Sequence, residues 1–279
     1  MPFRTAIAAI CLACLALLPV RPAEAQQPRR MSHCIAIADA APGIEYLHRA
    51  AWTDPVPGGE LRLSYLGHSM VLIQTASGLS IVTDYNGNLG ATGFRPDVVT
   101  MNRAHSSHWS TDVDGIAHVL RGWSEQQFGT PADHHLTLGE VLIRNVTTDI
   151  RGPGTVEEHG NSIFVFEAEG LCVAHLGHLH QEPNDRQYAA LGRVDVLMVP
   201  VDGTYTMDLG TMMRVVGRLR SSLVIPVHWF SQDRLGAFLA GMSGQFLIRR
   251  AGGSELRVSA DSLPRQPTVV VLDPAPLTE

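Results

Sequence analysis

Histidines at 105 and 108 lie in Pro96–Thr111, PDVVTMNRAHSSHWST, where a short apolar run carries into a turn of small residues. Imidazoles aimed by a turn at the end of a rigid strand are a common way to build a metal site. Leu171–His180, LCVAHLGHLH, and Ser222–Phe230, SLVIPVHWF, repeat the arrangement and deliver His178, His180 and His228. One such histidine alone reads as a hydrogen-bonded core or rim residue. Three β-type runs ending in histidine favour a fold that gathers these ends at one edge of a sheet.

The elements that must position them follow from periodicity. Leu61-Arg62-Leu63-Ser64-Tyr65-Leu66 alternates as a strand, with further strands over Met70–Thr75 and Leu79–Thr83, a Ser77-Gly78 hairpin turn, and Asp84 closing the third. The spacing over Val113–Trp123 predicts a helix. Leu136–Leu138, Val141–Val146, Ser162–Glu167 and Leu171–Ala174 read as strands. Then come a helix at Arg186–Leu191, a buried strand at Val194–Val201, a helix at Leu209–Leu219, a strand at Leu223–Val227 and a helix at Arg234–Met242. Phe246–Ile248, Glu255–Val258 and Thr268–Leu272 close the sheets, and the proline-containing tail is expected to be loose. Hairpins followed by strand–helix alternation fit an α/β sandwich of two mixed sheets flanked by helices, in one domain over residues 60–275.

The chain has 279 residues, 45% hydrophobic and 17% charged, enough for a full core. Its net charge of -6 argues against a nucleic-acid partner. All of its basic residues are arginine. The start has Arg4, an apolar run Ala6–Val20 and Ala23-Glu24-Ala25, the pattern of a signal peptide over residues 1–25. Export to the periplasm or medium without a stable membrane anchor is the expectation. Residues 26–59 read as an extension punctuated by prolines, with a short helix around Ile44–Ala51. Cys34 and Cys172 remain after cleavage, either as a disulfide or as two buried thiols.

These stretches, with Tyr65-Leu66-Gly67-His68-Ser69 and Ile81-Val82-Thr83-Asp84, resemble the metallo-β-lactamase superfamily, in its ascorbate-6-phosphate lactonase-like branch. The resemblance spans roughly Leu61–Phe230 and implies that superfamily's αβ/βα sandwich. It matches Asp84 to the aspartate of the first motif and aligns Arg103-Ala104-His105-Ser106-Ser107-His108 with the histidine-rich second motif. Arg103 then replaces a histidine and Ser107 an aspartate. Thr147-Thr148-Asp149 carries no histidine where the third motif supplies one, and Gly177-His178 replaces glycine-aspartate. The last motif is intact as Ile225-Pro226-Val227-His228.

The altered set implies one metal in place of two. His108, His178 and His228 with a water would form a tetrahedral site suited to zinc or another divalent transition metal, with His105 an extra ligand or its neighbour. Arg103 cannot ligate a cation; it would hold a substrate carboxylate or phosphate, or pair with Asp84 or Asp149. His68 is read as a pocket donor and His180 as a ligand or a loop residue on the substrate side. His175 is expected in the core, His134 and His135 in solvent, and His159 is left undecided. Zinc lowers the pKa of a bound water from 15.7 toward about 7, so hydroxide would attack an ester, lactone or phosphodiester. Asp84 is the first choice for proton transfer, ahead of Asp149 and Asp202. The alternative is a catalytically impaired protein that binds a small anion in the old cleft.

Overall fold

Alternation in Leu61–Leu66 becomes β1 (Glu60–Gly67) in the computed structural model, which describes residues 29–36, 52–125, 129–152 and 154–278. A short helix, α1 (His33–Ala36), precedes it. There follow β2 (Met70–Thr75), β3 (Ser80–Val82), β4 (Gly90–Ala91), β5 (Val98–Met101) and β6 (His118–Arg121). The second half holds β7 (His135–Leu138), β8 (Val141–Gly152), β9 (Thr155–Ala168), β10 (Leu171–His175), α2 (Asp185–Leu191), β11 (Val196–Pro200), α3 (Leu209–Leu219) and β12 (Leu223–Val227). The chain closes with α4 (Gln232–Met242), β13 (Leu247–Arg250), β14 (Glu255–Ser259), β15 (Thr268–Val271) and β16 (Leu277–Thr278).

Two mixed sheets result. One has the order β14-β1-β2-β3-β5-β6, and the other β13-β15-β12-β11-β10-β9-β8-β7. Period-two geometry sends Leu61, Leu63 and Tyr65 inward to meet Phe164, Phe166, Val173 and Ile225 of the facing sheet. On the outer face of the eight-stranded sheet, Val215 and Val216 of α3 pack with Leu235, Phe238 and Met242 of α4. Their helical spacing supplies this cover. The sandwich expected from the sequence is present.

The outer face of the six-stranded sheet differs from expectation. Leu72, Val82, Val99 and Met101 are capped there by Tyr85, Leu89 and Leu277, with Trp52, Phe94 and Trp109 packed alongside. Loops and the tail therefore do the work assigned to a helix over Val113–Trp123. That segment instead contains β6, parallel to β5, because Leu120 turns into the inter-sheet core while Val119 faces the outer layer. An alternation of two over four residues had been masked by flanking apolar residues at helical spacing. The tail is not loose either: Leu277 is buried and β16 pairs with β4. The signal segment and the helix around Ile44–Ala51 lie outside the described residues.

Of the two states open to the cysteines, the structure has the disulfide Cys34–Cys172, with Cα atoms 5.8 Å apart. It ties the segment before the domain to β10. Beside it, Ser32 Oγ and His33 N donate to the buried Glu167 carboxylate at 2.5 and 3.0 Å.

Strand direction decides what meets what. β1 and β2, and β2 and β3, are antiparallel, while β3 and β5 are parallel, so β1, β3 and β5 end at the same edge. In the facing sheet β10, β11 and β12 are parallel and share an edge too. A backbone bond from His228 N to His68 O, 2.7 Å, joins these two edges.

Candidate functional site

Six strand ends contribute to the joined edge: His68 after β1, Asp84 after β3, His108 beyond β5, His178 after β10, Asp202 after β11 and His228 after β12. His68, Asp84 and His228 adopt left-handed backbone, with φ of 52°, 50° and 53°. Such a conformation is uncommon for residues other than glycine and persists where the surroundings over-determine it. Here it turns each strand sharply, so that the side chain points across the edge. Gly177 does the same for His178 at φ +62°, and a Cβ there would lie 2.7 Å from Asn161 Oδ1. Asn161 Oδ1 accepts from His178 N at 2.8 Å, which fixes the start of that turn.

Ligand nitrogens of His68, His108 and His228 all lie within 4.8 Å of one another. Their rings are 4.4 Å (68 to 228), 4.9 Å (68 to 108) and 5.1 Å (108 to 228) apart between centroids. Buried Asp84 Oδ2 accepts from His108 Nδ1 at 2.5 Å, and Asp202 Oδ2 from His228 Nδ1 at 2.8 Å. Carboxylates behind metal-binding histidines set the tautomer and leave Nε2 bare toward the cation. In agreement, buried Nε2 of His108 has no hydrogen-bond partner, nor do His68 Nε2, His178 Nδ1 and His180 Nε2. Each unsatisfied buried group costs about 1–3 kcal/mol, so four imidazole nitrogens left bare around one cavity fit a bound cation.

Electrostatics agree with that donor set. Burial, then the neighbouring His228 and His108, pushes His68 down to about 4. His178 is pushed down to about 2 by burial and next by His108. Both are therefore neutral near pH 7, the form that ligates metal. Asp84 and Asp202 resist burial: His108 holds the Asp84 carboxyl well below the usual range, and hydrogen bonds from His228, Thr206 and Thr204 do the same for Asp202.

The expected site residues do come together, with their parts redistributed. His68, read as a substrate donor, stands in the close trio in place of His178. His178 flanks it, its ring 4.4 Å from that of His108 and 5.5 Å from that of His228. His105 is exposed on the rim, 6.2 Å from the His178 ring, with Nδ1 on Ser107 Oγ at 2.9 Å. Arg103 lines the cavity and its partner is Glu157, at 3.9 Å, not Asp84 or Asp149. His180 also lines it, with Nδ1 against the Arg151 backbone.

Asp84 has no face on the cavity. It stands behind His108 and accepts from its Nδ1, a contact between distant segments. Asp149 accepts from His159 N at 2.9 Å, and the His159 ring bonds Thr147 Oγ1. His175 is a core residue as expected, its Nε2 donating to Ser69 O at 2.8 Å. His134 and His135 are not simply solvated: they bond the Arg121 and Arg30 carbonyls at 2.6 and 2.9 Å. Sequence reasoning missed Tyr205 and Phe230, which complete a cavity of about 590 Å³ lined by His68, His108, His178, His228 and Arg103 among others. The only signal for Phe230 is its place two residues after His228. A second grouping, His33 with Cys34 and Cys172, offers no thiolates, since its sulfurs are bonded to each other.

Asp84→Asn tests the carboxylate–histidine link directly. The amide keeps the shape but withdraws the charge that makes His108 Nε2 a stronger donor. Metal affinity, measured by chelator competition, is expected to fall by roughly 10–100-fold. An unchanged affinity would remove Asp84 from the site.

Residues 62–228 match the family model described as a beta-lactamase superfamily domain. The chain is similar to a UPF0173 metal-dependent hydrolase of Methanosphaerula palustris, 24% identical over 185 residues, covering 61% of this chain and 84% of that one. A second UPF0173 metal-dependent hydrolase, from Methanoculleus marisnigri, is 25% identical over 189 residues and covers 61% and 81%. Among solved structures, a candidate Zn-dependent hydrolase of the metallo-beta-lactamase superfamily from Thermotoga maritima superposes with a TM-score of 0.55. It is 25% identical, with 76% of this chain and 98% of that chain covered. A metallo hydrolase of Ignicoccus hospitalis shares the fold, with a TM-score of 0.53 at 18% identity over 77% and 96%.

Proposed function

Because the chain belongs to the metallo-β-lactamase superfamily, its family match spanning residues 62–228, we propose that it is an exported metal-dependent hydrolase of small molecules. His68, His108 and His228 hold one divalent transition ion, zinc first, with His178 beside them. The close trio of imidazole nitrogens, two of them braced by buried carboxylates, carries this reading. The departures at Arg103, Ser107 and His178 support one ion, because a guanidinium stands where a cationic site would need a ligand.

When bound, such an ion polarises a carbonyl or phosphoryl oxygen and lets water act as a nucleophile at neutral pH. Asp84 and Asp202 keep the imidazoles aimed, and Arg103 with His180 receives an anionic oxygen of the substrate. Hydrolysis adds water's OH to the acyl carbon or phosphorus as the bond to the leaving oxygen breaks, and that oxygen takes the remaining proton. Neither buried aspartate faces the cavity, so the proton passes through a wall imidazole, and His105 is the one open to solvent. Esters, lactones and phosphodiesters fit this chemistry, the first two in keeping with the lactonase-like branch. The apolar run Ala6–Val20 before Ala23-Glu24-Ala25, and the Cys34–Cys172 bridge, support an oxidising compartment such as the periplasm.

Elemental analysis of mature protein tests the reading, with about one equivalent of metal expected and turnover of at least one member of an ester, lactone and phosphodiester panel. Metal-free protein from metal-supplemented cells would overturn it. Metal without turnover would favour the second reading, an anion-binding protein anchored by Arg103, which the lack of a carboxylate among the described residues that line the cavity supports.

A further inference from the structure

The geometry points to a substrate that carries an aryl or similarly flat apolar group beside its anion, received by a preorganised wall of Tyr205 and Phe230. This rests on the hydrolase reading for the site and adds its substrate class. Tyr205 is 68% and Phe230 57% exposed, although large apolar side chains in this protein are otherwise mostly buried. They meet edge to face at 5.7 Å and 90°, and both line the cavity. Aromatic rings favour this arrangement.

The wall is fixed to the proposed metal site. Phe230 lies 4.8 Å from the His228 ring and 5.5 Å from that of His68. Tyr205 sits on a loop whose amides converge on Asp202: Thr204, Tyr205 and Thr206 N donate to Oδ1 at 2.9, 2.6 and 3.0 Å. Oδ2 of that carboxylate accepts from His228 Nδ1 and Thr206 Oγ1. One buried aspartate therefore anchors both the His228 ring and the backbone that carries Tyr205, which limits the ordering left to binding.

Arg103 lines the same cavity as Tyr205 and Phe230, its guanidinium 3.9 Å from Glu157. A ligand in the cavity meets aromatic carbon beside His68 and His228 and a guanidinium elsewhere on the same wall. The cavity volume, about 590 Å³, is in the range of small-molecule sites.

Calorimetric titration of the full mature protein with phenylphosphonate and methylphosphonate tests this, since the two share one anion and differ in the ring. Phenylphosphonate should bind roughly tenfold tighter. Tyr205→Ala and Phe230→Ala, both exposed positions, should each erase most of that preference while leaving methylphosphonate unchanged. Arg103→Met should weaken both ligands alike. Equal binding of the two by the native protein, no binding of either, or a preference that survives both aromatic substitutions would overturn the wall. Elemental analysis of the same samples keeps the two readings apart. Metal-free protein that still prefers phenylphosphonate overturns the metal and keeps the wall; metal-loaded protein indifferent to the ring does the reverse.

Discussion

Replacing His228 with alanine should leave a folded protein that no longer retains metal and has lost roughly 10³-fold or more of its hydrolytic rate. Lewis-acid assistance by a bound ion is worth several kcal/mol, and each 1.36 kcal/mol is a factor of ten. The fold should survive because the brace at this point is in the main chain. His228 N donates to His68 O whichever side chain it carries, and Asp202 retains its bonds to Thr204, Tyr205 and Thr206. His108→Ala should lose the metal likewise, at an added cost in stability, because fully buried Asp84 is left without its imidazole. Circular dichroism with elemental analysis separates loss of metal from loss of structure. One equivalent of metal in His228→Ala, with turnover within a few-fold of native, would show that the trio is not the ligand set.

The strands that carry these histidines could be read from the sequence because each is a short apolar run with one meaning. Leu223–Val227 and Met70–Thr75 appear with the expected bounds, as does the helix Leu209–Leu219, whose start is fixed by Asp208 capping Thr211 N. A parallel sheet buried on both faces leaves little else for such runs to do. Val113–Trp123 failed for the complementary reason: its apolar residues serve two layers, and only the partner strand Val98–Met101 shows which face each takes. The histidine cluster was legible as a set of imidazoles and illegible as a geometry. His68 enters the trio through a left-handed turn and a backbone bond to His228, and neither leaves a trace in residue type. Asp84 and Asp202 looked like acids for the chemistry; both lie buried behind His108 and His228 and are bonded to their Nδ1 atoms. Tyr205 and Phe230 carried no periodic signal, since loop residues are placed by what anchors the loop, here Asp202.

Arg144→Met should cost about 3–5 kcal/mol of stability while leaving the metal stoichiometry untouched, because it strips a buried carboxylate outside the histidine-lined cavity of its guanidinium. Glu167 is fully buried and takes Arg144 Nε at 2.7 Å on Oε1. The guanidinium also donates to the Ala190 and Leu191 carbonyls at 2.7 and 2.8 Å, satisfying the last turn of α2. Burial pushes the Glu167 carboxyl up, but Ser32 and Arg144 outweigh it and hold the group below its usual range. A carboxyl depressed in the folded state stabilises above its unfolded pKa and loses that contribution as pH falls. Methionine removes the guanidinium, so near neutral pH Glu167 is a buried carboxylate held only by Ser32 Oγ, His33 N and the His33 ring 3.2 Å away, and acidification that protonates it should shrink the deficit. Denaturant titrations at pH 7 and near pH 4 measure this directly. Arg144→Met/Glu167→Met should recover much of the loss, since both the cation and the carboxylate are then replaced by packing. A deficit below about 1 kcal/mol at pH 7, or one as large near pH 4, would mean that the pair is not the buried hub joining α2 to the disulfide-anchored segment.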